Sequence, residues 1–286
     1  MALDSTMLHP ANGGDIPLIG FGTWPLKGEE CSDMVHRALR AGYRHIDSAK
    51  MYDNEAAVGA GIRAADLSRG EVFLTTKIWP EDMVEGRFQK QIEDSLEKLS
   101  MERVDLLLMH WPRKDGDVAE WMRLLNLAAE RGWATSIGVA NFTVDQMDKA
   151  VAASQRPIAC NQVEQHPFID QRKVRAACDR HGMALVAYCP LARAGTAFSN
   201  ETIKGVAQAH DRSPAQVVLR WHVQRGGVAI PNTATPARLA ENIAIFDFEL
   251  SADEMAAIDA LRSEGVRICD FEFSPQWDEP GPAQAA

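Results

Sequence analysis

Apolar residues follow two patterns that alternate along the chain. Short aliphatic and β-branched runs, LIGFGTW, YRHIDS, VFLTTKI, DLLLMHW, TSIGVANF, IACNQVEQ, ALVAYCPL and VAIPNT, read as buried strands. Between them, stretches such as CSDMVHRALRAG, EAAVGAGIRAA, FQKQIEDSLEKL and VAEWMRLLNLAAERG place apolar residues three and four apart, as amphipathic helices do. Gly42, Gly132 and Gly182 end three such stretches just before the next strand, a helix-stop signal. A hairpin, STMLHP and IPLIG around a turn at ANGGD, precedes the first strand. The capping box Ser251-Ala-Asp-Glu254 starts one further helix, DEMAAIDAL. Eight strands, each followed by helix, predict an α/β fold closed as a (β/α)8 TIM barrel, in preference to an open doubly wound sheet. In that reading residues 1–18 form a hairpin cap that plugs the N-terminal mouth. Residues 265–286 form a loop over the active-site face, ending in the tail DEPGPAQAA.

The 286 residues contain no Pro/Gly/Ser linker or low-complexity tract, so residues 1–286 are read as one barrel domain. The net charge of −10 argues against nucleic acid or an anionic membrane as partner. No apolar run approaches the ~20 residues that cross a bilayer, and the N-terminus lacks a signal-peptide pattern. The cysteines, Cys31, Cys160, Cys178, Cys189 and Cys269, form no C-x-x-C pair and are odd in number, which suits a reducing cytoplasm.

Candidate chemistry lies just past the ends of three successive apolar runs, each read as a strand: Asp47 and Tyr52 in YRHIDSAKMYDNE, Lys77 in VFLTTKIWP, and His110 in VDLLLMHWP. Neighbouring parallel strands are about 4.8 Å apart, which brings these groups within roughly 10 Å at the barrel end where chemistry is found. A cation beside a phenol favours phenolate, so Lys77 is expected to lower the pKa of Tyr52, with Asp47 keeping the lysine protonated. Neutral His110 can orient a carbonyl oxygen. The set would hand a proton to an oxygen that turns negative as its carbon is attacked, and hydride from a reduced nicotinamide is the natural partner. Singly, each residue admits a plainer reading: Asp47 and Lys77 a structural ion pair, His110 a core histidine, Tyr52 a half-buried tyrosine. Glu164 and His166 have metal-ligand spacing without a third ligand, so strand-end packing is favoured and no metal is expected. Cys189 is read as a small residue.

HIDSAKMYDNE, TTKIW, MHWP, IGVANF, NQVEQHPF, AYCPL and IPNTATPARLAENI resemble, in order, the motif series of the aldo-keto reductase superfamily. The span is roughly Gly20 to Asn242. Size and short loops are most similar to the prokaryotic members that include 2,5-diketo-D-gluconate reductases. The resemblance implies an NADPH-dependent carbonyl reductase with Tyr52 as proton donor and Asp47, Lys77 and His110 as its partners. It also implies that Asn141 and Gln162 hold the nicotinamide carboxamide, with Thr23 and Asp47 nearby, and that Tyr188 stacks under the ring. Leu191 would lie at the pyrophosphate, and Glu241 and Asn242 at the adenine. Ala140 stands where the family usually has serine, so one hydroxyl contact is missing. Asn232 and Thr233 replace the lysine and serine that face the 2′-phosphate, while Arg238, expected to clasp it, is present. Arg238 sits in the first turn of a helix begun by Thr235-Pro236, where a cation opposes the helix dipole unless an anion is bound. NADPH is therefore expected, with NADH tolerated.

On the substrate side, Trp24, Trp79 and Trp111 each follow a strand end and should wall the opening. Phe271, Phe273 and Trp277 either close the cleft as a lid or anchor the tail. The stretches after His110 and after Tyr188 read as short loops and imply an open cleft for bulky or varied carbonyls, dicarbonyls and keto sugars among them. Family members of this size are often monomers, so a monomer is expected. The alternative is a cofactor-binding regulatory subunit on the same barrel, against which the intact Asp47–Tyr52–Lys77–His110 set speaks.

Overall fold

Each run read as a strand becomes one, and all eight join a single parallel sheet. In a computed structural model that describes residues 8–114, 116–192, 195–264 and 267–278, a hairpin of β1 (Leu8–Ala11) and β2 (Gly14–Pro17) comes first. The sheet then runs in chain order through β3 (Phe21–Gly22), β4 (His45–Asp47), β5 (Phe73–Ile78), β6 (Val104–Met109), β7 (Ala134–Ala140), β8 (Ile158–Glu164), β9 (Ala184–Tyr188) and β10 (Val228–Ala229). Its two edges meet. The Gly20 amide donates to Ala229 O at 2.8 Å and the Ala229 amide to Leu18 O at 2.9 Å, so the sheet curls shut as in a (β/α)8 barrel.

Helices α1 (Gly28–Arg40), α2 (Glu55–Ala64), α3 (Arg87–Leu99), α4 (Val118–Glu130), α5 (Val144–Ala153) and α6 (Arg172–His181) cover the outside in turn. Gly42, Gly132 and Gly182 each adopt positive φ at a helix end, which accounts for glycine there. The chain between β9 and β10 is richer than its reading as a short loop. It holds α7 (Gly195–Ser199), α8 (Glu201–Ala209) and α9 (Pro214–Gln224), followed after β10 by α10 (Pro236–Ile243) and α11 (Ala252–Ala260). Five residues of α7 give too short a window for the 3.6-residue period to show.

Alternate residues of each strand serve two cores. Leu74, Ile78, Leu107, Met109, Ile137 and Val139 face the helices. Leu106, Leu108, Ala140, Cys160, Val186 and Val228 fill the interior, and Ile16 of the hairpin joins this inner cluster. The hairpin sits where β7 and β9 begin: Ser136 Oγ donates to Gly13 O at 2.8 Å and Asn12 Nδ2 to His181 O at 2.7 Å. Met1–Met7, the start of the hairpin read from sequence, lie outside the described residues, as do residues 265–266 and 279–286 of the C-terminal segment.

Two histidines in this framework are buried and neutral. Burial pushes His45, inside the barrel, down to about 4, and His222, on α9, down to about 3. Below pH ~6.5 the unfolded chain binds these protons and the folded chain does not. Stability therefore falls as pH drops from about 7 towards 4, by roughly 3 kcal/mol from each histidine. Denaturant midpoints across that range should decline less steeply in His222→Gln than in the wild type; equal slopes would refute the assignment.

Candidate active site

Strand register, more than proximity in sequence, assembles the polar cluster. Asp47 is the last residue of β4 and pairs with Thr75, while Lys77 pairs with Leu108 of β6, so the two lie at adjacent levels of neighbouring strands. The sequence reading put both just past the strands; in fact Asp47 and Lys77 lie inside them, which keeps both fully buried in the mouth of the barrel. Lys77 Nζ donates to Asp47 Oδ1 at 2.5 Å and to Ser48 O at 2.8 Å, and contacts the Tyr52 hydroxyl at 3.3 Å. Every proton of the ammonium thus has an oxygen to meet, which offsets its desolvation. The net effect of these partners raises the lysine's pKa above its ordinary value despite burial, so it stays charged.

Tyr52 is carried on a single 3-10 turn, Lys50–Tyr52, that follows β4. Several contacts fix this turn. Lys50 pairs with Asp82 at 2.5 Å, Lys27 donates to the Tyr52 carbonyl, and Asp53 takes the left-handed conformation that ends the turn. Beneath it the Asn54 amide donates to Leu26 O at 3.0 Å and to Thr23 Oγ1 at 3.2 Å, and accepts from Ser48 Oγ at 2.9 Å. Asn54 did not stand out in the sequence; its only signal there is its position just before a helix.

The expected direction for the Tyr52 phenol needs correction. Burial raises its pKa more than the nearby Lys77 ammonium lowers it, and the net shift is upward. The hydroxyl is therefore protonated at neutral pH, and the lysine limits the rise without reversing it. His110, immediately after β6, packs edge-on against Tyr52 with ring centroids 5.6 Å apart. Burial and then the Lys77 charge hold its pKa well below the usual imidazole range, so the ring is neutral. Nδ1 is buried with no hydrogen-bond partner among the described residues.

Around the four groups lie the residues expected at a nicotinamide. Gln162 Nε2 donates to Asp47 Oδ2 at 2.8 Å, Asn141 Nδ2 to His110 O at 2.9 Å, and the Tyr188 hydroxyl to Asn141 Oδ1 at 2.7 Å. Thr23 is buried and donates to Asp47 O at 2.9 Å. Asn141 adopts φ of 63°, a conformation asparagine tolerates better than most residues. Farther out, Leu191 is half-buried, Asn242 is buried, Glu241 is half-buried and Arg238 is exposed in the first turn of α10, a turn with no acidic residue. Thr233 accepts from the Thr235 amide at 3.0 Å, while the Asn232 amide donates to Trp24 O at 2.5 Å, which ties the β10 end to the β3 end.

The aromatic residues meet above the cluster. Trp24 stands 5.3 Å from Tyr52 and Trp79 stands 5.2 Å from His110. Trp111 contacts Phe271, Phe273 and Trp277 at 5.8, 5.3 and 6.1 Å, and Phe273 also meets Trp79 at 5.7 Å. A residue pair passed over as packing turns out to organise this wall. Both oxygens of the buried Glu164 accept from the C-terminal segment, from the Ile268 amide at 2.7 Å and the Cys269 amide at 2.6 Å, and His166 binds it at 3.0 Å. Among the described residues no group of three or more His, Cys, Asp or Glu is placed to hold a metal. No helix among them is long and apolar enough to cross a membrane.

A closed parallel barrel with Asp, Lys, Tyr and His at its C-terminal mouth defines a class, and comparison with known proteins names it. Residues 18–263 match the family model of the aldo/keto reductase family, and the chain belongs to that family. It is 39% identical over 262 residues to glyoxal reductase of Bacillus subtilis, covering 91% of this chain and 94% of that protein. It is also 39% identical over 282 residues to morphine 6-dehydrogenase of Pseudomonas putida, covering 94% and 95%. The crystal structure of a candidate 2,5-diketo-D-gluconic acid reductase B superposes with a TM-score of 0.92 at 41% identity over 96% of this chain and 99% of that one. The protein is an oxidoreductase of the aldo-keto reductase type.

Proposed function

We propose that this protein reduces aldehydes and ketones to alcohols with NADPH, Tyr52 giving the proton. The observation that carries the reading is the placement of Lys77 Nζ between the Asp47 carboxylate and the Tyr52 hydroxyl, beside a neutral His110. When bound, the reduced nicotinamide supplies hydride to the carbonyl carbon. The residues present fit that group. The Asn141 and Gln162 side chains supply donors and acceptors for the carboxamide, and Tyr188 offers a ring beside them at the end of β9. Leu191 would lie at the pyrophosphate, Glu241 and Asn242 would hold the adenine, and Arg238 would offer a cation to a 2′-phosphate.

His110 donates to the substrate carbonyl oxygen and orients it towards Tyr52 Oη. Charge growing on that oxygen is met by the tyrosine proton, and the ammonium of Lys77 stabilises the phenolate left behind. Burial keeps the proton on Tyr52 until that moment. Asp47 balances the ammonium, so the site holds one net positive charge fewer than the lysine alone would give. The apolar wall of Trp24, Trp79, Trp111, Phe271, Phe273 and Trp277 excludes water and packs the substrate's carbon frame. Such a wall accommodates small dicarbonyls and keto sugars, and bulkier carbonyls too. The relatives named for glyoxal and for morphine bracket that range of sizes. We further read the hairpin of residues 8–17 as a plug of the opposite mouth and the chain as one barrel domain acting as a monomer.

Loss of NADPH absorbance with a panel of aldehydes, ketones and dicarbonyls tests the reading. No turnover of any member, with the fold intact, would refute it. Efficiency with NADPH should exceed that with NADH, by less than if a lysine stood at Asn232. Arg238→Leu should lower NADPH efficiency roughly tenfold, the scale of one charge-assisted hydrogen bond, and leave NADH efficiency nearly unchanged. A wild-type preference for NADH would overturn the NADPH assignment.

A further inference from the structure

Cys189 and Cys269 come from distant parts of the chain, one residue past β9 and in the C-terminal segment, yet their sulfurs lie 4.0 Å apart. Both residues are half-buried and so open to small solutes, whereas Cys31, Cys160 and Cys178 are wholly buried. Burial pushes the Cys31 thiol up to about 11 and the Cys178 thiol up to about 12, and raises Cys160 further still, leaving those three almost entirely as unreactive thiols.

The facing pair is held in place from both sides. The Cys269 amide donates to the buried Glu164 carboxylate at 2.6 Å, which fixes its backbone against the end of β8. Cys189 has φ of 48°, a left-handed conformation uncommon for a residue with a side chain, and the next carbonyl, Pro190 O, is bound by His222 Nε2 at 3.2 Å. A bonded sulfur pair is about 2.05 Å long, so the two sulfurs, 4.0 Å apart, have roughly 2 Å left to close.

We propose that Cys189 and Cys269 form a reversible disulfide that fastens the C-terminal segment to the end of β9 when the protein meets a peroxide. One thiolate attacks a peroxide oxygen, the O–O bond breaks, and a sulfenic acid and a molecule of water or alcohol result. The second thiolate then displaces hydroxide, which leaves as water, and the S–S bond forms. Two electrons pass from the sulfurs to the peroxide, and a dithiol returns them. In a reducing compartment the dithiol is the resting state, and the bridge is a response to oxidant.

The bridge has a consequence that rests on the reading of the site as a dinucleotide cleft. Tyr188 precedes Cys189, and Cys269 leads within a few residues to Phe271 and Phe273, so the link would strap the segment across the nicotinamide end of the cleft. Exchange of NADPH should then slow several-fold, and substrates too large to pass Trp111 and Phe273 should be turned over more slowly.

The test treats the full-length protein with a few equivalents of hydrogen peroxide, blocks remaining thiols, and maps peptides without reduction. The expected product is a single cross-linked peptide joining Cys189 to Cys269, with two thiols lost per chain and both recovered by dithiothreitol. Cys269→Ser and Cys189→Ser should each prevent the link while keeping reductase activity before oxidation. Separate adducts on the two cysteines, a link to any other cysteine, or thiols that survive the peroxide would overturn the proposal. Stopped-flow NADPH release from the oxidised protein reads the strap, and an unchanged rate would remove that part. Peptide mapping needs no activity, so absence of NADPH binding in the reduced protein would count against the reading of the site and not against the bridge.

Discussion

Replacing Tyr52 by phenylalanine is expected to lower carbonyl reduction by about a thousandfold, within the range that a positioned general acid contributes. The substitution is conservative in every respect but one. The ring keeps its contacts with Trp24 at 5.3 Å and His110 at 5.6 Å, and the Lys77 ammonium stays 4.9 Å from the ring centroid. Lys77 also retains Asp47 and Ser48 O, so no buried charge is left unpaired. NADPH affinity should therefore change by no more than about twofold, and thermal stability by roughly 1 kcal/mol or less, the worth of one hydrogen bond. The measurements are single-turnover reduction and cofactor fluorescence on the same preparation. A variant retaining a tenth of wild-type turnover would show that the proton comes from elsewhere.

Lys77→Met should be more damaging to the fold than to any single contact in it. Methionine fills similar volume but leaves the Asp47 carboxylate, 1% exposed, with no cation beside it in the barrel mouth. Breaking a buried pair from one side costs about 3–5 kcal/mol, because the remaining charge has given up water without compensation. Turnover should vanish as well, since the phenolate of Tyr52 loses the charge that stabilises it. The double variant Asp47→Leu with Lys77→Met separates the two effects. Its denaturation midpoint should recover much of the loss, because no charge is left stranded, while its turnover stays absent. If Lys77→Met unfolds at the wild-type midpoint, the pair is not energetically coupled in the way the geometry indicates.

Much of this was legible in the chain. The eight strand runs, the glycine stops and the capping box at Ser251 each depend on local periodicity or local hydrogen bonding, and each appears where the pattern put it. The grouping of Asp47, Tyr52, Lys77 and His110 was legible for a related reason: parallel strands in chain order align their C-terminal ends, so residues there converge whatever the helices do. The reverse held for the α7 helix after β9, too short to show a period, and for Asn54, whose importance lies in the hydrogen bonds of its side chain to Thr23, Leu26 and Ser48. Glu164 was visible as a carboxylate near a histidine, but its partners are backbone amides more than 100 residues away, and nothing local marks them.

The direction of the Tyr52 shift marks the boundary most clearly. The sequence by itself determined that a phenol, an ammonium, a carboxylate and an imidazole would share one end of a barrel, because strand period and strand order are properties of the chain. It also carried the motif series that places the protein among the aldo-keto reductases. Only the tertiary structure decided how much water each group gives up, and so whether burial or a neighbouring charge wins. It decided likewise which distant amides grip Glu164 and which two sulfurs face each other. Desolvation and long-range contact depend on everything packed around a residue, and no window of sequence contains that.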